Sequence, residues 1–157
     1  MVAWGNIYLS AIDEERFGIR TAKAPHMTLQ NVPRVVEFCL NNEVKLLIAR
    51  CPVSELRTTQ VMERYGFLLM DTLVYLSRDL INKPIPTDVS KAKWRPMQPG
   101  DEEKIKIVAT ESFRGYRGHY HADERLDRAK CDEVYVSWTL RLCNSLEPAD
   151  TVHVAEI

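Results

Sequence analysis

The sequence predicts an α/β protein, helices packed on a mixed sheet (α+β in its sheet pairing). Three observations carry the prediction. Strand-length apolar runs alternate along the chain with segments whose apolar residues recur every three or four positions. The composition, 45% hydrophobic and 27% charged, is that of a chain able to bury a core. Residues 82–93, NKPIPTDVSKAK, hold two prolines and no apolar period and read as a linker. They separate a first unit, residues 1–81, from a second, residues 94–157.

In the first unit, the start alternates weakly and reads as one or two strands. Asp13, Glu14 and Glu15 form the expected turn between Ile7-Tyr8-Leu9 and Phe17-Gly18-Ile19. Asn31 is placed to cap a helix with Pro33 in its first turn, where the missing N–H costs nothing. Val32, Val35, Val36 and Cys39 give that helix one apolar face, and Asn41-Asn42 ends it. Residues 45–50, KLLIAR, are a strand closed by Pro52. Ser54 is the next expected N-cap, with Glu55 in the positive first turn. The helix runs to Tyr65 and Gly66 caps it. Residues 67–77, rich in Leu, Val, Thr and Tyr, read as a further strand.

In the second unit, Trp94-Arg95-Pro96-Met97 begins a short strand. Pro99-Gly100-Asp101 is a turn ending in an N-cap, and Glu102 and Glu103 follow in the first helical turn. Ile105, Val108, Ala109 and Phe113 keep helical spacing. A second helix starts at Asp127, carries Cys131, Val134, Tyr135, Trp138 and Leu142 as its apolar stripe, and ends near Asn144-Ser145. Residues 151–157, TVHVAEI, read as a strand whose edge is left open to missing sequence or to a second copy.

Composition excludes several classes of function. A net charge of -1 gives no global field for nucleic acid or anionic membrane. No apolar run approaches the roughly 20 residues that span a bilayer. The first residues lack the basic start of a signal peptide, so the expected compartment is the cytoplasm. The four cysteines, Cys39, Cys51, Cys131 and Cys143, form no C-x-x-C pair, so no zinc site is expected. Cys131 and Cys143 share one helix at roughly 18 Å, too far for a disulfide.

Chemistry concentrates at residues 113–123, FRGYRGHYHAD, between the two later helices. Arg114 and Arg117 are suited to hold a diphosphate, or else to pair with Asp123, Glu124 or Asp127. Tyr116 and Tyr120 are suited to stack on a sugar or base, or else to cover the core. His119 and His121 are suited to accept a proton, or are structural. His119, His121 and Asp123 alternate, so in an extended segment they share a face like metal ligands, but no second ligand cluster supports a metal. His26 and His153 stand apart from this group, and Glu156 is a further polar group on the terminal strand.

Met62-Glu63-Arg64-Tyr65-Gly66-Phe67 resembles a helix-end, glycine and strand-start string of GNAT-type acyltransferases. WRPMQPGD followed by an amphipathic helix looks like the opening of a GNAT domain. Residues 47–76 together with residues 111–123 resemble the two-part layout of nucleotide-sugar N-acetyltransferases of the dTDP-fucosamine acetyltransferase type. The resemblance implies a partial GNAT-like unit, residues 1–81, before the first strand, two helices and second strand of a GNAT domain, residues 94–157. It implies acetyl-CoA as co-substrate and an amine, possibly carried on a nucleotide sugar, as acceptor. By the same resemblance Phe113, Arg114, Tyr116, Arg117, His119, Tyr120 and His121 would line the acceptor side.

The sequence departs from that pattern. GNAT enzymes hold the coenzyme A pyrophosphate on a Q/R-x-x-G-x-G/A loop at a helix N-terminus. Gly115 and Gly118 do not fit that register, and no other string does. The late tyrosine that protonates the departing thiolate has no counterpart either. The expectation is therefore an N-terminal portion of such an enzyme, not catalytically complete and holding no cofactor by itself, whose partners are an amino-sugar substrate and a C-terminal GNAT half or a second copy. The competing expectation is a non-catalytic binding or assembly module built from GNAT-like pieces.

Overall fold

The computed structural model describes residues 7–79, 81–84, 87, 90–144 and 152–157. The fold is mixed α/β, and the chain divides into two compact units, Met1–Met70 and Asp71–Ile157. Expectations for residues 1–6, for 85, 86, 88 and 89 in the linker, and for Ser145 and Thr151 lie outside the described residues.

The first unit runs β1 (Tyr8–Leu9), α1 (Ala11–Phe17), β2 (Thr21–Ala24), α2 (Val32–Asn41), β3 (Leu46–Ala49) and α3 (Leu56–Arg64). Its sheet has the order β1-β2-β3. β1 is antiparallel to β2, and β3 is parallel to β2 from Thr21↔Leu46 to Ala24↔Ala49. The parallel pair needs a crossover, and α2 supplies it. Ala24, Met27, Val32, Val35 and Met62 form the buried core, with Ile7, Leu47, Ala49 and Phe67 packed against it.

Residues 13–15 are not a turn between strands, as their charge suggested, but the middle of α1. Acidic residues favour the positive start of a helix. Asp13 is also fully buried: it accepts the Ser10 hydroxyl at 2.5 Å and meets Lys23 Nζ at 2.5 Å. Phe17-Gly18-Ile19 is likewise no strand. Phe17 ends α1, and Gly18 takes the left-handed conformation, φ +66°, that turns the chain toward β2. The next N-cap is Glu55, one residue past the expected Ser54. Asn31 holds the N-cap position, but its side chain reaches backward, accepting from Thr28 N at 2.8 Å and donating to His26 O at 2.9 Å.

Gly66 closes α3 as expected. Its N–H reaches Glu63 O at 2.9 Å and that of Phe67 reaches Met62 O at 3.1 Å, the paired bonds of a Schellman motif, with Gly66 at φ +84°. The strand expected at residues 67–77 does not form. β-propensity measures fit to a paired, half-buried surface. This run finds no ladder partner among the described residues, and Leu69, Val74 and Leu76 are exposed.

The second unit contains β4 (Lys93–Pro96), α4 (Glu102–Ser112), α5 (His119–Ala122), α6 (Arg128–Cys143) and β5 (His153–Glu156). β4 and β5 pair antiparallel, Lys93↔Glu156 to Pro96↔His153. Arg95 joins three elements. It grips Asp101 through Nη1–Oδ2 at 2.6 Å and Nη2–Oδ1 at 3.1 Å, and Glu156 Oε1 through Nη2 at 2.6 Å. Asp101 therefore holds the α4 N-cap position without capping; its carboxylate accepts from Arg95 and from Gln98 N. Asp127 does cap α6, accepting from Lys130 N at 3.0 Å. Of the expected apolar stripes, Ala109, Cys131 and Val134 are buried, whereas Val108 is exposed.

Candidate functional site

Residues 113–123 are not an open loop. Phe113 caps α4, Gly115 turns the chain at φ +72°, and residues 119–122 form the single turn of α5. Phe113 stacks on Tyr135 of α6 at 4.5 Å, and Tyr116 meets both rings edge-on, at 5.9 Å and 5.0 Å. Trp138 extends the group through Tyr135 at 5.4 Å. Tyr116 thus covers the aromatic seam between α4 and α6. Gly118 lies beneath it. A Cβ there would come within 2.9 Å of Tyr116 Cε1 and 3.2 Å of both the Tyr116 and Tyr135 hydroxyls, so the close approach requires glycine.

The turn of α5 places its two histidines in different surroundings. The alternation that would align His119, His121 and Asp123 holds only in extended backbone, and the helical turn breaks it. Asp123 is instead gripped by Arg125, through Nε–Oδ1 at 2.9 Å and Nη2–Oδ2 at 2.5 Å, and this pair holds its carboxyl below the usual range. No group of three His, Cys, Asp or Glu among the described residues is arranged to hold a metal.

His121 is 6% exposed and both its ring nitrogens are engaged. Gly118 N donates to Nδ1 at 3.3 Å, so Nδ1 is the acceptor and Nε2 carries the proton. Nε2 then donates to Asp132 Oδ1 at 3.0 Å. His119 is arranged the other way round. Its backbone N–H and its Nδ1 both reach Asp71 Oδ2, each at 3.0 Å. A carboxylate only accepts, so Nδ1 carries the proton. Nε2 keeps its lone pair and has no hydrogen-bond partner among the described residues. A histidine backed by a carboxylate, with the far nitrogen open, is equipped to take a proton from a bound amine.

The remaining candidates separate in the same way. Arg114 pairs with Glu111, not with Asp123, Glu124 or Asp127. Arg117 is exposed and has no ion pair or hydrogen bond among the described residues, so its guanidinium is available to an anion. Tyr120 is 1% exposed, its ring lies 4.2 Å from that of His119, and its carbonyl accepts from Cys131 Sγ at 3.4 Å. Burial pushes the Cys131 thiol above its ordinary range.

Sequence reasoning missed the two carboxylates that sort the histidines. Asp71 interrupts an apolar run, LLMDTLV, and that lone charge was the available signal. Asp132 looked like part of a wet helix face, and its side chain is indeed 65% exposed while one oxygen reaches inward to His121. Comparison with protein-family models, with curated proteins and with solved structures finds no match for this chain.

Proposed function

We propose that this chain carries the amine-accepting side of a GNAT-type N-acetyltransferase, in which acetyl-CoA is the donor and an amino sugar the acceptor. The observation that carries the reading is the Asp71–His119 pair, whose Nε2 is free to remove a proton as the amine attacks the thioester. Arg117, exposed and two residues before His119 in the sequence, supplies a cation for an anionic group on the acceptor. Between its two strands the second unit has two long helices, α4 and α6, as the front of a GNAT domain would, with the single turn of α5 between them. The coenzyme A loop then has to come from polypeptide of a different sequence, because no string of this sequence has its pattern.

The test is titration of this chain with nucleotide-linked amino sugars while the His119 imidazole nitrogens are followed by NMR. Thiol release from acetyl-CoA is measured in parallel with the same acceptors. A shift at Nε2 that disappears in His119→Ala is expected, and no response to any amino sugar would overturn the reading.

A second reading, a binding or assembly module, is favoured by one observation. The β4–β5 face formed by Trp94, Pro96, His153 and Ala155 is exposed. Calorimetry with amino sugars and with coenzyme A separates the two: the module binds neither, whereas the acceptor side binds the amino sugar alone.

A further inference from the structure

We infer that Asp132 and His121 are positioning residues for His119, one histidine of the HYH turn serving to hold the other. The inference rests on the reading of His119 as the proton acceptor. A four-residue helix cannot sustain itself, because nucleation is costly and one turn returns a single bond. α5 therefore exists through what it is attached to.

The attachments come from one face of α6, at positions 128, 131 and 132, the i, i+3, i+4 spacing that places side chains together. Arg128 Nη1 donates to His121 O, Cys131 Sγ to Tyr120 O at 3.4 Å, and Asp132 Oδ1 accepts from His121 Nε2 at 3.0 Å. The first two hold the carbonyls of the turn's second and third residues. Only the His121 imidazole reaches back to its beginning, where Nδ1 accepts the Gly118 N–H at 3.3 Å.

The next N–H along the chain, that of His119, is the one bound by Asp71. Two adjacent N–H groups that no helical carbonyl can satisfy are thus each taken by a side chain. The two N–H groups sit on consecutive peptide planes, Arg117–Gly118 and Gly118–His119, that meet at the Gly118 Cα, so releasing one loosens the hinge that orients the other. Asp132 fixes the His121 ring in the tautomer whose Nδ1 can accept, the role a carboxylate plays behind a metal-bound or catalytic histidine. The line from Asp132 through His121 to Gly118 N ends one residue from the base.

The experiment follows the His119 imidazole by nitrogen NMR in the ligand-free chain. Asp132→Ala is the main variant, because the Asp132 side chain is 65% exposed and its removal leaves the core intact. Asp132→Asn, which keeps an acceptor oxygen for Nε2–H, is the rescue. Loss or displacement of the His119 Nδ1–H signal in Asp132→Ala, with recovery in Asp132→Asn and far-ultraviolet circular dichroism unchanged, is expected. A His119 signal in Asp132→Ala identical to that of the parent chain would overturn the inference. His121→Ala, where it folds, must produce the same displacement, and its failure to do so counts equally against the proposal. The readout needs no acceptor, so an unaltered His119 defeats the positioning role alone. A failed amino-sugar titration defeats only the functional reading.

Discussion

Asp71 and His119 stand 48 residues apart in the sequence, and a single carboxylate oxygen of Asp71 receives both the backbone N–H and the ring Nδ1 of His119 at 3.0 Å. One acceptor thus fixes where the residue sits and which nitrogen carries its proton. Asp71→Asn keeps an oxygen of the same reach but removes the charge that favours the Nδ1–H form. The proton is expected to redistribute toward Nε2, closing the lone pair. His119 nitrogen shifts check this directly. With the coenzyme A-binding part supplied, the same variant should lose about 10²-fold in acetyl transfer to the amino sugar, the usual contribution of a positioned base. Unchanged transfer would remove His119 from the mechanism.

That relationship marks the limit of what could be read from the sequence. Gly66 was legible because a left-handed helix end has one preferred residue, and the Asp127 cap because its acceptor is local. The KLLIAR strand was legible because it is apolar and short. Residues 67–77 failed because strand formation depends on a partner that local composition does not reveal. Asp13 failed because its burial depends on Lys23, ten residues away on β2. At the site, the clustering of chemistry in residues 113–123 was visible. Its division between a structural His121 and an open His119 was not, since each role is assigned by a carboxylate from elsewhere in the chain.

Gly118 predicts how tightly the aromatic seam is built. Its φ of -122° is open to any residue, so Gly118→Ala tests space alone. The new methyl meets Tyr116 at 2.9 Å, and Tyr116, 39% exposed, can swing toward solvent. The ring would then lose its edge contacts with Phe113 and Tyr135, together about 1–2 kcal/mol. Denaturant unfolding should show a loss of that size, with a changed near-ultraviolet circular dichroism spectrum. If both are unaltered, the seam has room that the geometry does not show.

Asp13 offers the test of the first unit. It is fully buried, and its carboxylate serves both the Ser10 hydroxyl and the Lys23 ammonium. Asp13→Ala leaves a partly buried cation without this acceptor, a change of about 3 kcal/mol. Asp13→Asn retains a hydrogen-bond acceptor and should cost less. Thermal melts of the two variants rank the charge against the hydrogen bond. Equal melting points for Asp13→Ala and the parent would mean that α1 does not depend on the pair.

The Arg95 clamp predicts a specific acid sensitivity. Hydrogen bonds from Arg95, and then from Gln98 N–H, bring the Asp101 carboxyl down to about 2. Arg95 likewise lowers Glu156, while its own guanidinium is driven further above its ordinary range and stays charged throughout. An unfolded Asp titrates near about 3.9. Above about pH 4 the carboxylate is ionised in both states, and the contribution to stability is complete. Between about pH 4 and 2 the unfolded chain binds the proton first, so stability falls as the pH falls, and below about 2 the contribution is gone. Asp123 and Asp79 are also lowered, by Arg125 and Asn82 first, and add slope of the same sign that does not depend on Arg95. The informative quantity is therefore the difference between the parent chain and Arg95→Met. Urea unfolding from pH 6 to 2 should find the variant less stable near neutrality, with the two curves converging toward pH 2. A constant gap across that range would show that the clamp acts through packing of the arginine stem and not through the charge on Asp101.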